Sequence, residues 1–166
     1  THELLREDRR TVGRLDSRFR GIERDAAGER ISYDPSYPAI QGPYTAAFND
    51  YVRRELGFEV DLPYEVLTSL YEQWSYRKYE NRYAEVAETL RKAMTHNPFL
   101  KVYVANGFYD LATPYFATEY TLNHLMLDPT LQPNIRTGHF EAGHMMYLHR
   151  PSLDALMADI REFMKD

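Results

Sequence analysis

Residues 97–166 alternate a short β-branched run, a helical pattern, a second short run and a second helical pattern, and this order limits the fold more than any other feature. The run KVYVA at 101–105 reads as a strand buried on both faces. Thr113-Pro114 suits a helix start, with the threonine hydroxyl as cap and the proline in the first turn. That helix is expected to reach about residue 127, where Asp128-Pro129 and Gln132-Pro133 stop it. Residues 135–140 read as the second strand. A last helix follows Pro151, with Leu153, Leu156, Met157, Ile160, Phe163 and Met164 on its apolar face. Strand, helix, strand, helix is the α/β signature, and a helical crossover implies parallel strands. Two parallel strands leave both outer edges unpaired and do not make a stable sheet alone. Further strands are therefore expected from outside this chain.

Residues 1–96 follow a different grammar, mostly helical and rich in tyrosine. Residues 1–10 are compatible with a helix, after which Gly13, Gly21, Gly28, Pro35, Pro38, Gly42 and Pro43 punctuate the chain. The segment GRLDSRF at 13–19 has no generic mechanism; its alternating charges suit holding a loop in place, and less well lining a pocket. Tyr44, Phe48, Tyr51, Val52 and Leu56 recur at helical spacing, with Pro43 in the first turn and Gly57 as the stop. Further helices are expected over 64–74 and 82–94, the latter with Tyr83, Val86, Ala87, Leu90, Ala93 and Met94 on one face. The spacing of these aromatic residues predicts core rather than binding surface.

Charge removes some functions. Twenty Lys and Arg against 25 Asp and Glu give a net charge of −5, with no basic stripe to neutralise phosphates, so no nucleic-acid partner is expected. The arginines between Arg6 and Arg24 alternate with acids and read as a salt-bridged surface. No apolar run approaches the roughly 20 residues of a membrane-spanning helix, and no signal-peptide pattern opens the chain. Because the first residue is Thr1, the chain is expected to be a processed product or excised fragment. The absence of cysteine excludes disulfides and thiol chemistry but leaves the compartment open.

Two residues stand where an α/β sheet presents chemistry. Asp110 lies just beyond the first strand of the α/β part, and His144 just beyond the second. An acid and then a histidine at successive strand ends is the second half of the order Ser, Asp, His. The imidazole takes a serine proton and returns it to the leaving group, while the carboxylate fixes its tautomer and stabilises the imidazolium. Gly143 permits close backbone approach beside the histidine. No G-x-S-x-G elbow occurs, and none of Ser17, Ser32, Ser36, Ser69, Ser75 and Ser152 follows a buried strand at a glycine turn. The nucleophile is thus expected elsewhere, and the fragment alone is expected to be inactive. His139, Glu141, His144 and His149 invite a metal reading, but H-x-E-x-x-H lacks the i, i+4 histidine pair of a helical zinc motif, and no metal is expected.

These residues resemble the serine carboxypeptidases on the α/β-hydrolase fold, particularly their bacterial branch. The resemblance rests on NGFYDLATP at 106–114, FATEYTLNHL at 116–125, EAGHMMYLHRP at 141–151, GRLDSRF at 13–19 and DPS at 34–36, and covers nearly the whole chain. It implies the C-terminal part of a hydrolase sheet (residues 97–166) preceded by a mostly helical cap (residues 1–96). It makes Asp110 and His144 the triad acid and base, and gives Met145 the pocket for the departing C-terminal residue. The implied partners are a peptide substrate and an N-terminal segment or chain carrying the serine, with no cofactor and no membrane. Some plant relatives are cut within the cap into two chains that stay together, and this chain resembles the second. Eukaryotic members usually carry disulfides and a cysteine shortly after the acid. Here Thr113 stands in that neighbourhood, which favours a bacterial-type member, exported or not, over a vacuolar or lysosomal one. The family includes acyltransferases and lyases that keep the triad, so esterase or acyl-transfer activity stays open, as does a non-catalytic helical interaction module.

Overall fold

Two three-residue strands flank the GRLDSRF segment and pair with each other. β1 (Arg10–Val12) and β2 (Arg20–Ile22) are antiparallel, from Arg10 opposite Ile22 to Val12 opposite Arg20. The structure, a computed structural model, describes residues 3–27 and 30–165. The helix expected over 1–10 is a single 3-10 turn, Glu3–Leu5, and Arg10 already belongs to β1; Thr1, His2 and the expected break at Gly28 lie outside the described residues. Arg9 takes φ 52, a left-handed backbone that no continuing α-helix accommodates.

α1 (Ser36–Asp50) begins well before the expected Tyr44, because Asp34 performs the capping. The Asp34 carboxylate accepts the Ser36 N–H at 2.9 Å and its hydroxyl at 2.5 Å, satisfying donors that helix starts leave open. Pro43, expected in the first turn, therefore sits inside the helix, which continues as a π-helical turn over Tyr51–Glu55. Gly57, at φ +61, ends it as expected.

The helix expected over 64–74 is absent. One 3-10 turn, Leu70–Gln73, stands there, and Arg77–Tyr79 forms another. Tyr64, Tyr71 and Trp74 are exposed, and a short helix without a buried face is marginal in water. The expectation that the aromatic residues here form core is overturned: Tyr76 and Tyr83 are exposed too, the latter to 93%. α2 (Ala87–His96) starts five residues late, where Glu85 Oε1 accepts the Ala87 N–H at 2.5 Å; Tyr83 and Val86 are left outside the helix and exposed.

β3 (Val102–Gly107) and β4 (Ile135–Phe140) pair in parallel, in register from Val102 opposite Ile135 to Gly107 opposite Phe140. They are joined through α3 (Tyr115–Asn123), and α4 (Arg150–Phe163) follows β4 with Pro151 in its first turn. α3 ends four residues before the expected stop, and its N-terminal flank is Pro114, not Thr113, whose hydroxyl is committed elsewhere. Leu125 and Leu127 then turn inward onto Met94 of α2, with Leu122, Val102 and Ile135 packed around them. On the other face of the sheet, Phe140, Ala142 and Met146 cluster with Ala105 and Leu156 of α4. Tyr103 and Arg136 bind Asp159 from that face, the tyrosine at 2.5 Å. The architecture is mixed α/β, with helices against both faces of a two-stranded parallel sheet. β3 is less covered than a strand buried on both faces: Val102, Tyr103, Val104 and Ala105 all keep partial exposure. Each strand has one unpaired edge among the described residues.

Candidate functional site

The parallel ladder does not stop at the strand ends. Beyond Gly107, the amides of Phe108 and Tyr109 donate to the carbonyls of Phe140 and Ala142, each at 3.0 Å. Two loops thus leave the sheet side by side, one carrying Asp110 and the other His144. Their closeness requires glycine. A Cβ on Gly107 would come within 2.5 Å of the Ala142 and Gly143 carbonyls, closer than real side chains approach.

Asp110 is 5% exposed and its carboxylate is fully engaged. Oδ1 accepts the amides of Ala112 at 2.8 Å and Thr113 at 2.9 Å. Oδ2 accepts the Thr113 hydroxyl at 2.7 Å and lies 2.8 Å from His144 Nδ1. Burial pushes the Asp110 carboxyl upward. The bonds from Thr113 (amide and hydroxyl), His144 and the Ala112 amide outweigh it and hold the group below the ordinary aspartate range. The acid is therefore ionised at neutral pH.

His144 is the accessible member, its side chain 45% exposed. With Nδ1 engaged by Asp110, the proton of the neutral ring sits on Nδ1 and Nε2 carries the lone pair. An oriented base with a buried carboxylate behind it is competent to take a proton from a nucleophile brought to Nε2. Met145 follows at the start of the Met146–Leu148 turn, half-buried.

The other residues weighed for metal binding are drawn apart. His139 Nε2 lies 3.0 Å from Glu119 of α3, and the ring stacks on Phe108. Glu141 is exposed, and His149 Nδ1 contacts the Ser152 hydroxyl at 2.8 Å across the start of α4. No group of three or more His, Cys, Asp or Glu converges as a metal site among the described residues. Ser152 is buried in the first turn of α4, and Ser36 is buried and gives its hydroxyl to Asp34, so neither is presented as a nucleophile.

The contribution of residues 13–19 exceeds what the sequence suggested. Leu111 N–H donates to the Arg14 carbonyl at 3.0 Å, Ser17 N–H to the Tyr109 carbonyl at 2.9 Å, and His144 N–H to the Leu15 carbonyl at 2.6 Å. The loop is stitched to both loops of the site. The glycines were the available signal: a Cβ on Gly143 would fall 2.3 Å from the Leu15 carbonyl oxygen and 2.5 Å from Asp16 Cβ.

The larger hollows lie away from the pair. One of about 440 Å³ lies between α3 and β4, lined by Glu119, Leu122, Asn123 and Thr137 among others. A second, of about 690 Å³, is apolar and sits at the end of α1, between Phe48, Val52, Leu56, Phe58, Leu62 and Tyr64. Neither is lined by Asp110 or His144, and neither brings an acid and a base into alignment as the pair does. Among the described residues no helix is long and apolar enough to cross a membrane. No family model, curated protein or solved structure matches this chain.

Proposed function

We propose that this chain supplies the acid and base of a Ser-Asp-His triad in a serine carboxypeptidase-like hydrolase of α/β-hydrolase type. The serine comes from a segment or chain outside these residues. The observation that carries this reading is the 2.8 Å contact between Asp110 Oδ2 and His144 Nδ1, made by two loops leaving the same end of a parallel pair of strands. The unpaired sheet edges support it, because they need further strands of the kind such a parent contains.

In this mechanism the serine Oγ attacks the carbonyl carbon of the C-terminal peptide bond as its proton passes to His144 Nε2. The tetrahedral intermediate collapses, the C–N bond breaks, and the imidazolium returns the proton to the departing amine. Water then repeats the sequence on the acyl-enzyme and releases the acid. Asp110 stays ionised throughout, and Met145 borders the pocket of the leaving residue. Amides for the oxyanion come from the same outside segment as the serine.

The same pair serves an esterase or acyltransferase equally well, and product analysis on matched peptide and ester substrates separates these activities. A second reading, a non-catalytic interaction module, draws on the exposed Tyr64, Tyr71, Trp74, Tyr76 and Tyr83. A fluorophosphonate probe on the intact natural protein decides between catalysis and binding. Labelling of a serine in a companion segment, lost on replacing His144 by Ala, supports the triad; a protein that stays folded and unlabelled sinks it.

A further inference from the structure

We infer that residues 13–19 act as a positioning strap that sets the separation of Asp110 and His144, with Asp34 and Arg18 as its anchors. This rests on the reading of Asp110 and His144 as acid and base. The three main-chain bonds from the strap land on Tyr109, Leu111 and His144, the two neighbours of the acid and the base itself. The hairpin needs none of them, because it closes through its own Gly13 N–H to Phe19 carbonyl bond at 2.9 Å.

Asp34 holds the first end. Its carboxylate is buried and takes the Arg14 N–H at 3.2 and 3.1 Å on its two oxygens, while Ser36, which it also binds, places its hydroxyl 3.4 Å from the Leu15 amide. The Arg14 and Leu15 residues therefore use their N–H groups on the Asp34–Ser36 corner and their carbonyls on the site. A displacement of that corner is transmitted through two residues to Leu111 and His144.

Arg18 holds the second end. Asp16 grips the guanidinium in a fork, Oδ2 to Nη2 at 2.6 Å and Oδ1 to Nε at 3.0 Å, and also accepts the Arg18 amide at 3.0 Å. So oriented, Arg18 Nη1 donates to the Glu141 carbonyl at 3.1 Å, and its guanidinium lies 4.9 Å from the Tyr109 ring centroid. One side chain thereby spans the loop of the acid and the loop of the base.

A reacting pair tolerates little displacement; about 1 Å of misplacement lowers turnover by about 100-fold. In the intact natural protein, including the serine-bearing segment, Arg18→Ala, Arg18→Lys and Asp34→Asn are compared with wild type. The readouts are kcat, KM and the downfield NMR resonance of the His144 Nδ1 proton. Arg18→Ala and Asp34→Asn are expected to lower kcat by about 10-fold or more, with KM within about twofold, and to broaden or shift that resonance. Arg18→Lys, which restores a donor toward Glu141, recovers part of the loss. Should Asp34→Asn fail to fold, Arg18→Ala decides, since the Arg18 side chain is 38% exposed and its removal leaves no large cavity. A folded Arg18→Ala protein with unchanged kcat and an unchanged resonance overturns the strap. Failure of the triad reading is separate: the wild type then resists the fluorophosphonate and ignores His144→Ala, while the Nδ1 resonance still reports whether the strap holds the pair.

Discussion

Gly143 and Asp16 face each other so closely that a Cβ added to the glycine would lie 2.8 Å from the Asp16 Cα and 2.5 Å from its Cβ. The atoms in the way are the Leu15 carbonyl oxygen, the Asp16 Cα and the Cβ fixed to it, so no flexible side-chain end can move aside. Gly143→Ala is therefore expected to force the 13–19 loop away from the histidine loop. The cost is about 1–3 kcal/mol of overpacking, read as a lower urea midpoint, with turnover of the intact protein falling alongside it. A variant as stable and active as wild type would mean that the two loops are free to part.

Replacing His144 by Ala in the intact protein is expected to lower kcat by several orders of magnitude. Asp110→Asn is expected to cost about 10³–10⁴-fold. The amide oxygen can still take the Ala112 and Thr113 N–H groups, but its NH2 then opposes the ring N–H and favours the wrong tautomer. Steady-state kinetics on one substrate check both, and near-normal turnover in either variant removes that residue from the mechanism.

The depressed Asp110 carboxyl gives stability a definite pH dependence. A carboxyl whose folded value lies below its unfolded value stabilises the fold above the unfolded range, about pH 4, and loses that contribution as pH falls through the folded value. Wild type and Asp110→Asn should thus differ most in stability at neutral pH and converge in acid. Denaturant midpoints at a series of pH values test this; a constant difference down to the acid limit would contradict it.

Thr113 gives its hydroxyl to Asp110 Oδ2 at 2.7 Å and stands 3.2 Å from His144 Nδ1. Thr113→Val keeps the shape and removes the donor. It should cost about 1 kcal/mol of stability and move the carboxyl upward, whereas Thr113→Ser should retain both. Thermal melts of the three proteins decide, and a harmless valine would show that the hydroxyl is dispensable.

Away from the site, burial and the bond to Asp159 hold the Tyr103 phenol above its ordinary range, so it remains a donor throughout the working pH range. Tyr103→Phe should lower stability by about 1 kcal/mol without altering KM or kcat of the intact protein. A change in turnover would mean that the Asp159 cluster communicates with the site.

What was legible in the chain follows from the physics of each part. Residues 135–140 follow the stop at Gln132-Pro133 and hold Ile135, Thr137 and Phe140, and β4 has the expected bounds. The parallel pairing follows from the helical crossover, and the meeting of the Asp110 and His144 loops follows from both strands ending on one side. β1 and β2 escaped because three residues are too few to show alternation. The start of α1 was hidden by Asp34, a side chain outside the periodic pattern that does the capping. Over 64–86 the apolar spacing misled, because spacing predicts a helix only where a surface exists to bury its face; Tyr64 stacks on Phe48, but Tyr71, Trp74, Tyr76 and Tyr83 stay exposed.

The ladder between β3 and β4 is also a ruler. A slip of one residue along a strand is about 3.3 Å, longer than the 2.8 Å contact between Asp110 and His144. It would also turn the shifted strand's side chains onto the opposite face. A molecule paired one step out of place can keep its helices and much of its sheet and still lack an acid–base pair. For this fold, fidelity of strand alignment during folding decides whether the Asp110–His144 contact forms at all.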